Sequence, residues 1–214
     1  MRLQTLLYKN KKVINNMQGQ INLNDEAGSY IFNICERDDV KNIVEIGTWN
    51  GRGSTFCVYE SIKNTTKKLI SLETWKEMYD IAFDFYKDKK EISVINGYIS
   101  DKLLDFNSLD DSFFTDYDKN LKLSWYNEDL KNIKNSKNVL NQIPEKIDFL
   151  ILDGGEYSSW EEYLILKDRS KIIFLDDTRP PTIKNFMARE DLLKTHKVII
   201  DNLNIRNGYS IFEK

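Results

Sequence analysis

The sequence predicts an α/β domain on a doubly wound, mostly parallel, seven-stranded sheet that ends in an antiparallel hairpin. Three observations carry this reading. Short apolar runs alternate with segments of helical periodicity, the rhythm of βα units. The run Ile43-Val44-Glu45-Ile46 passes into a glycine-punctuated loop, Gly47 to Gly53, and then into the helix-like stretch Ser54 to Ile62. Strand, tight glycine loop and helix build the nucleotide site at the first turn of such sheets. Finally, Lys197 to Ile200 and Gly208 to Phe212 read as strands, and the link Asn202 to Asn207 is short enough for a hairpin.

Residues 1–23 form a polar lead-in with a helix fragment. Asn24 is placed to cap a helix whose first turn holds Asp25 and Glu26, where carboxylates suit the helix dipole. Ala27, Tyr30, Ile31, Ile34 and Cys35 recur at helical spacing in it. Strand one is Asn42 to Ile46, and the helix after the loop runs to about Lys63. Leu69 to Leu72 is strand two, followed by Glu73. A helix from Trp75 to Lys87 carries Met78, Ile81, Ala82 and Phe85 on one face. Strand three is Ile92 to Ile95, closed by Asn96-Gly97, and Asp101 to Phe106 should start the next helix.

Residues 107–142 break the rhythm. A crossover needs about a dozen residues, and this one is far longer and holds Phe113, Phe114, Tyr117, Trp125 and Tyr126 among acids and lysines. Aromatics argue against simple disorder. Two readings stay open: a helical excursion packed on the domain, or a lid or substrate wall. Strand four, Ile147 to Leu152, is continuously apolar, as a central parallel strand should be. A helix from Ser159 to about Leu166 and strand five, Lys171 to Leu175, follow. Pro180-Pro181 suits a helix start, and that helix carries Ile183, Phe186, Met187 and Leu192.

Composition narrows the function. The 214 residues suffice for one domain, 1–214, with a sizeable core. A net charge of −3 gives no electrostatic footprint for nucleic acid. No apolar run is long enough for a bilayer, and the N-terminus turns polar too quickly for a signal peptide. Cys35 and Cys57 fall in predicted helices without metal-ligand spacing, and read as buried reduced thiols of a cytoplasmic protein. The expected partner is a small-molecule substrate, with neither nucleic acid nor membrane; the aromatic insertion leaves a homo-oligomeric interface open.

In open α/β sheets, ligands bind outside the carboxyl ends of the strands. Nearly every predicted strand here ends in an acid or a glycine: Glu45 and Gly47, Glu73, Gly97, Asp153, Asp176 and Asp177. Glu73 falls where an acid binds ribose hydroxyls, against the plainer reading of a surface acid at a helix start. The spacing Gly47, Gly51, Gly53 is not Gly-x-Gly-x-x-Gly, so the dinucleotide fingerprint fails. The acid before the first glycine favours a ligand that bears positive charge.

Glu45-Ile46-Gly47-Thr48-Trp49-Asn50-Gly51-Arg52-Gly53-Ser54 resembles motif I of the class I S-adenosylmethionine-dependent methyltransferases, on a Rossmann-like sheet. The closer resemblance is to the small metal-dependent O-methyltransferase-like group that includes the macrocin O-methyltransferase-like proteins. Leu152-Asp153-Gly154-Gly155 with Tyr157, and Phe174-Leu175-Asp176-Asp177, resemble it too. The likeness runs from about Asn24 to the C-terminus and leaves the insertion uncovered. It implies S-adenosylmethionine as cofactor and Glu45, Gly47, Thr48, Trp49, Asn50, Gly51 and Ser54 around its amino-acid end. It puts Glu73, Thr74 and Trp75 at the ribose, Gly97, Tyr98 and Ser100 near the adenine, and Asp153 by the reacting centre. In metal-dependent members, acids matching Asp153, Asp176 and Asp177 hold Mg²⁺. That fits the chemistry, since clustered carboxylates repel unless a hard cation joins them.

Relatives often carry Asp or His just after the Asp-Gly pair, where this chain has Gly155 and Glu156; Glu156 is the nearest acid for a catalytic base. Asp176-Asp177 can also be read as a turn and cap pair. The only histidine, His196, reads as structural or surface. The expected function is methyl transfer to a hydroxyl of a small molecule or a sugar. The alternatives are a binding protein that keeps the fold without catalysis and, disfavoured by the failed fingerprint, a nicotinamide-dependent oxidoreductase.

Overall fold

The structure, a computed structural model, describes residues 20–109, 118–180 and 184–214. Among them the chain order is α1 (Glu26–Glu36), β1 (Asn42–Ile46), α2 (Ser54–Ile62), β2 (Lys68–Glu73), α3 (Lys76–Tyr86) and β3 (Ile92–Asn96). Then come α4 (Lys119–Asn135), β4 (Ile147–Leu152), α5 (Ser159–Leu166), β5 (Ser170–Asp176), α6 (Phe186–Thr195), β6 (Lys197–Asn202) and β7 (Tyr209–Glu213). The strands form one seven-stranded sheet in the order β3-β2-β1-β4-β5-β7-β6. The first five are parallel, and β7 runs antiparallel to both β5 and β6. This is the doubly wound sheet with a closing hairpin that the sequence predicts.

The strand order creates the site. From β1 the chain steps outward to β2 and β3, then returns to lay β4 on the other side of β1, so that Ile43 pairs with both Leu69 and Phe149. The connections therefore leave β1 and β4 in opposite directions, and a crevice opens at their carboxyl ends.

Alternation along the strands feeds two cores. Ile43, Phe149, Ile151 and Phe174 face α1, α2 and α3, whose Ile31, Val58 and Ala82 meet them. Val44, Ile46, Leu150 and Leu152 face α5 and α6 through Tyr163, Leu166 and Leu192. Phe106, Tyr157, Trp125 and Tyr126 form a third, smaller cluster between the insertion and the sheet's end. Cys35 and Cys57 are buried free thiols in α1 and α2, as predicted. Burial pushes the Cys57 thiol up to about 12. No helix among the described residues is long and apolar enough to cross a membrane.

Three boundaries differ from the sequence reading. Asp25, not Asn24, caps α1: its Oδ1 accepts from Gly28 N at 2.7 Å while its Oδ2 accepts from Asn22 N at 2.7 Å. Asp101 to Phe106 does not start a helix. Leu104 N is committed to Tyr157 O at 2.9 Å, and the Asp105 side chain turns the chain into one short 3₁₀ turn, Phe106–Ser108. The insertion's helix begins at Lys119, capped by Asp118. The last helix begins at Phe186 rather than at the prolines, because the Asn185 amide donates to Leu152 O (3.0 Å) and Asp176 O (2.6 Å). Most of the lead-in, together with Phe113, Phe114, Tyr117, Pro181 and Ile183, lies outside the described residues.

Phe149 is fully buried at the centre of the sheet. Phe149→Ala is expected to lower unfolding free energy in urea by about 3–5 kcal/mol; a loss under about 1 kcal/mol contradicts this account of the core.

Candidate active site at the switch point of the sheet

The glycine loop is fixed from both sides. Gly47 N and Thr48 N both donate to Leu72 O at the end of β2, and Asp153 N donates to Ile46 O from the end of β4. Gly47 has φ +99°, and a Cβ on it would stand 2.0 Å from Asp153 O, so only glycine lets β1 and β4 approach this closely. Below the loop, Glu45 is buried. Its carboxylate accepts from Ser54 Oγ (2.5 Å), Thr55 Oγ1 (2.7 Å) and Ser71 Oγ (2.5 Å). Burial lifts this acid to about 7 against those three bonds.

A cavity of about 360 Å³ opens above the loop. Gly47, Thr48, Trp49 and Ser54 form one side, Glu73, Thr74 and Trp75 continue it from β2, and Gly97 follows from β3. Asp153, Asp176 and Asp177 close it from β4 and β5. The sheet thus gathers most of the residues singled out in the sequence. Glu45 lies beneath the floor rather than in the wall. Asn50 and Gly51 sit behind the loop, with Asn50 Oδ1 accepting from Arg52 N and Gly51 O accepting from Tyr86 Oη. Tyr98 pairs with Asn138 as an isolated parallel bridge, and Ser100 Oγ accepts from Lys102 N. Glu156 stands in the turn after Gly155, outside the cavity's lining.

Glu73 is 8% exposed and already holds the loop in place. Its Oε2 accepts from Trp49 N at 2.5 Å and its Oε1 from Trp75 N at 2.8 Å. Burial raises it to about 7, opposed by those two amides.

One carboxylate oxygen from each of Asp153, Asp176 and Asp177 lies within 4.8 Å of the other two. The cations that join them belong to the chain itself. Lys184 Nζ lies 2.5 Å from Asp153 Oδ1 and 3.1 Å from Asp177 Oδ2, and Arg206 Nη2 lies 2.5 Å from Asp176 Oδ1. Burial disfavours the Lys184 ammonium, but Asp153, Asp177 and Asp176 outweigh it and hold the lysine well above its ordinary value. Burial and the two neighbouring acids push Asp176 well up. An ion ligated by all three acids would have to displace an ammonium already bonded to two of them, so this arrangement does not fit a resident Mg²⁺.

Several wall residues were not singled out in the sequence. Helix α4 of the insertion contributes Glu128, Asp129 and Asn132, and α5 contributes Glu162. Asp129 Oδ2 accepts from Tyr157 N at 2.9 Å, and burial raises this acid to about 6. Glu162 is 2% exposed, burial raises it to about 8, and its Oε2 has no hydrogen-bond partner. The Glu161-Glu162 pair at a helix start reads as solvated dipole complement, and only the fold shows that one member turns inward. His196, half-buried at the end of α6, is not part of the wall.

No protein-family model matches the chain, and no curated protein matches it. Solved structures do. The O-methyltransferase from Bacillus cereus in complex with SAH aligns at 14% identity and TM-score 0.57, over 99% of this chain and 90% of that one. SAH-bound methyltransferase PaMTH1 from Podospora anserina aligns at 16% and 0.54, over 87% and 76%. The O-methyltransferase TomG from Streptomyces achromogenes in complex with SAM aligns at 12% and 0.52, over 87% and 78%.

Two outcomes follow from the geometry. Gly47→Ala must strain a left-handed residue and force Asp153 away, and is expected to cost roughly 2–5 kcal/mol of stability in denaturant titration; a neutral substitution contradicts the close approach. Glu45, Glu73 and Glu162 hold protons more tightly folded than unfolded. Stability therefore falls as pH rises from the unfolded carboxylate value of 4.5 towards these folded values of about 7 to about 8, and levels off above them. The unliganded protein should melt at a lower temperature at about pH 8 than at about pH 6, and Glu45→Gln should narrow the gap. A melting temperature that is flat or rises over that window contradicts the assignment.

With these alignments set beside the strand order and the switch-point cavity, the chain has the Rossmann-like fold of the class I S-adenosylmethionine-dependent O-methyltransferases.

Proposed function

We propose that the chain is an S-adenosylmethionine-dependent methyltransferase that methylates a hydroxyl of a small molecule or a sugar and works without a resident divalent metal. The observation that carries this reading is the cavity at the β1/β4 switch point, walled by the Gly47 loop, Glu73 and Asp153 together. The solved structures of the same fold that hold SAH or SAM support it.

The residues fit such a cofactor by their chemistry. S-adenosylmethionine carries a sulfonium and an ammonium, and the charged side chains of this cavity's wall are acids, Glu73 and Asp153 among them, apart from Lys184. The Gly47–Gly51 loop would hold the amino-acid end, Glu73 the ribose hydroxyls, and Gly97 with Tyr98 and Ser100 behind it the adenine side. When bound, the cofactor supplies the methyl group. Asp153 stands beside the loop at the proposed reacting centre, and Lys184 fixes its carboxylate by a 2.5 Å bond. The same ammonium would set a positive charge beside the acceptor hydroxyl, where a nearby cation favours the oxyanion, and the hydroxyl proton would pass to solvent water. The remaining work is alignment of nucleophile, methyl and leaving sulfur.

Calorimetric titration tests the reading. SAH is expected to bind at micromolar levels and NAD not to; absence of SAH binding sinks the proposal. Glu73→Gln is expected to weaken SAH by about 1–3 kcal/mol, the cost of leaving buried hydroxyls badly paired. Unchanged affinity would remove Glu73 from the ribose. For the metal-free part, EDTA should leave turnover intact with a found acceptor. Lys184→Ala should create a Mn²⁺ site, seen by electron paramagnetic resonance, that the parent protein lacks. Stoichiometric Mn²⁺ binding by the parent protein would overturn it.

A further inference from the structure

The acids of the cavity are not equally provided for. Asp153 and Asp177 share Lys184, Asp176 has Arg206, and Glu73 is held by two backbone amides. Asp129 and Glu162 are left without a cation among the ion pairs of the described residues. They come from different elements, the insertion helix α4 and the helix α5, and are brought together over one dipeptide, Gly154-Gly155. A Cβ on Gly155 would stand 2.6 Å from Asp129 Oδ1, and one on Gly154 would stand 3.0 Å from Glu162 Oε2. The two glycines therefore make the space in which these carboxyls sit, and a side chain at Gly155 would evict Asp129.

Glu162 Oε2 is the sharper sign. It belongs to a side chain that is 2% exposed, it lines the cavity, and it has no hydrogen-bond partner. A buried carboxylate oxygen without a donor costs free energy, so such atoms are rare unless a ligand supplies the donor. Both groups are raised by burial and by a neighbouring acid, Asp129 in the case of Glu162; the Tyr157 amide at Asp129, the Ser158 side chain at Glu162 and the field of Lys184 offset this only in part. A cation placed between them would relieve both the desolvation and the repulsion.

Resting on the methyltransferase reading, we infer that the methyl acceptor carries an ammonium group as well as its hydroxyl, and that Asp129 and Glu162, seated over Gly154-Gly155, bind that ammonium. The acceptor class is then the amino alcohols, phenols with an aminoalkyl side chain, and amino sugars. Anionic acceptors are repelled by the same acids, and a neutral hydroxyl can donate to Glu162 Oε2 but brings no charge to offset the repulsion between the two acids. The placement also gives the insertion a role in recognition, because α4 brings Asp129 to a wall that the sheet alone would leave open.

Isothermal titration of the SAH-saturated protein tests this with matched probes: tyramine against 4-ethylphenol and 4-hydroxyphenylacetate, and glucosamine against N-acetylglucosamine. In at least one set the ammonium member is expected to bind tenfold or more tighter than its neutral twin, with no binding of the anionic one. Glu162→Gln and Asp129→Asn should each erase most of that preference while SAH affinity stays within twofold, with melting curves showing that both variants are folded. Equal binding of the twins, binding of none of the probes, or a preference that survives in both variants overturns the inference. So does a tenfold loss of SAH affinity in Glu162→Gln, which would give this carboxylate to the cofactor's own ammonium. Failure of the parent protein to bind SAH is a different result and strikes the methyltransferase reading itself.

Discussion

A buried carboxylate that never reaches the cavity holds the site up. Glu45 points down from the end of β1 and accepts from Ser54 and Thr55 at the start of α2 and from Ser71 in β2. Ser71 is in turn bonded to the Thr48 hydroxyl in the loop above, at 2.5 Å. One side chain thus ties the strand before the loop, the helix after it and the neighbouring strand. Removing it would leave three hydroxyls without their acceptor in a dry interior, where an unmade bond costs more than a made one contributes.

The loop inherits its geometry from that tie and passes it outward. Glu73 meets Trp49 N and Trp75 N only because the loop stands at a fixed height above β2. Across the crevice, Asn185 spans Leu152 O and Asp176 O, where two parallel strands begin to diverge. Its amide sets the spacing of the strand ends that carry Asp153 and Asp176, and the next residue back in the chain is Lys184. Spacer and counter-charge are adjacent, so the acid cluster and the cation that neutralises it are built by one short segment.

The sheet was legible because burial on both faces leaves continuous apolar runs, such as Ile147 to Leu152, and because glycine loops and helix starts punctuate them. The strand-end acids were legible for the same reason: position after an apolar run places a residue at the carboxyl edge. What escaped was whatever depends on distance through space. Lys184 follows a pair of prolines and looks like any surface lysine until β5 and α6 deliver it to Asp153. Asp129 lies in a polar, lysine-rich insertion whose helix has a weak apolar face. Glu162 is one of two adjacent acids at a helix start, and nothing local says which one turns inward. The same limit misassigned Asp101 to Phe106, where a hydrogen bond from Leu104 to Tyr157 overrides local helix signals.

The insertion helix α4 is clamped at several points. Tyr157 N and Oη bond Asp129 and the Lys122 carbonyl, and past its C-terminal end the chain rejoins the sheet through Tyr98 and Lys137 to Val139. A segment held this way has surrendered its conformational freedom during folding, before any ligand arrives. A molecule that docks against it is spared the entropy of ordering a loop, which for a mobile lid is drawn from binding affinity. Selectivity at such a wall is set by shape and charge already in place, and the helix acts as a template rather than a door.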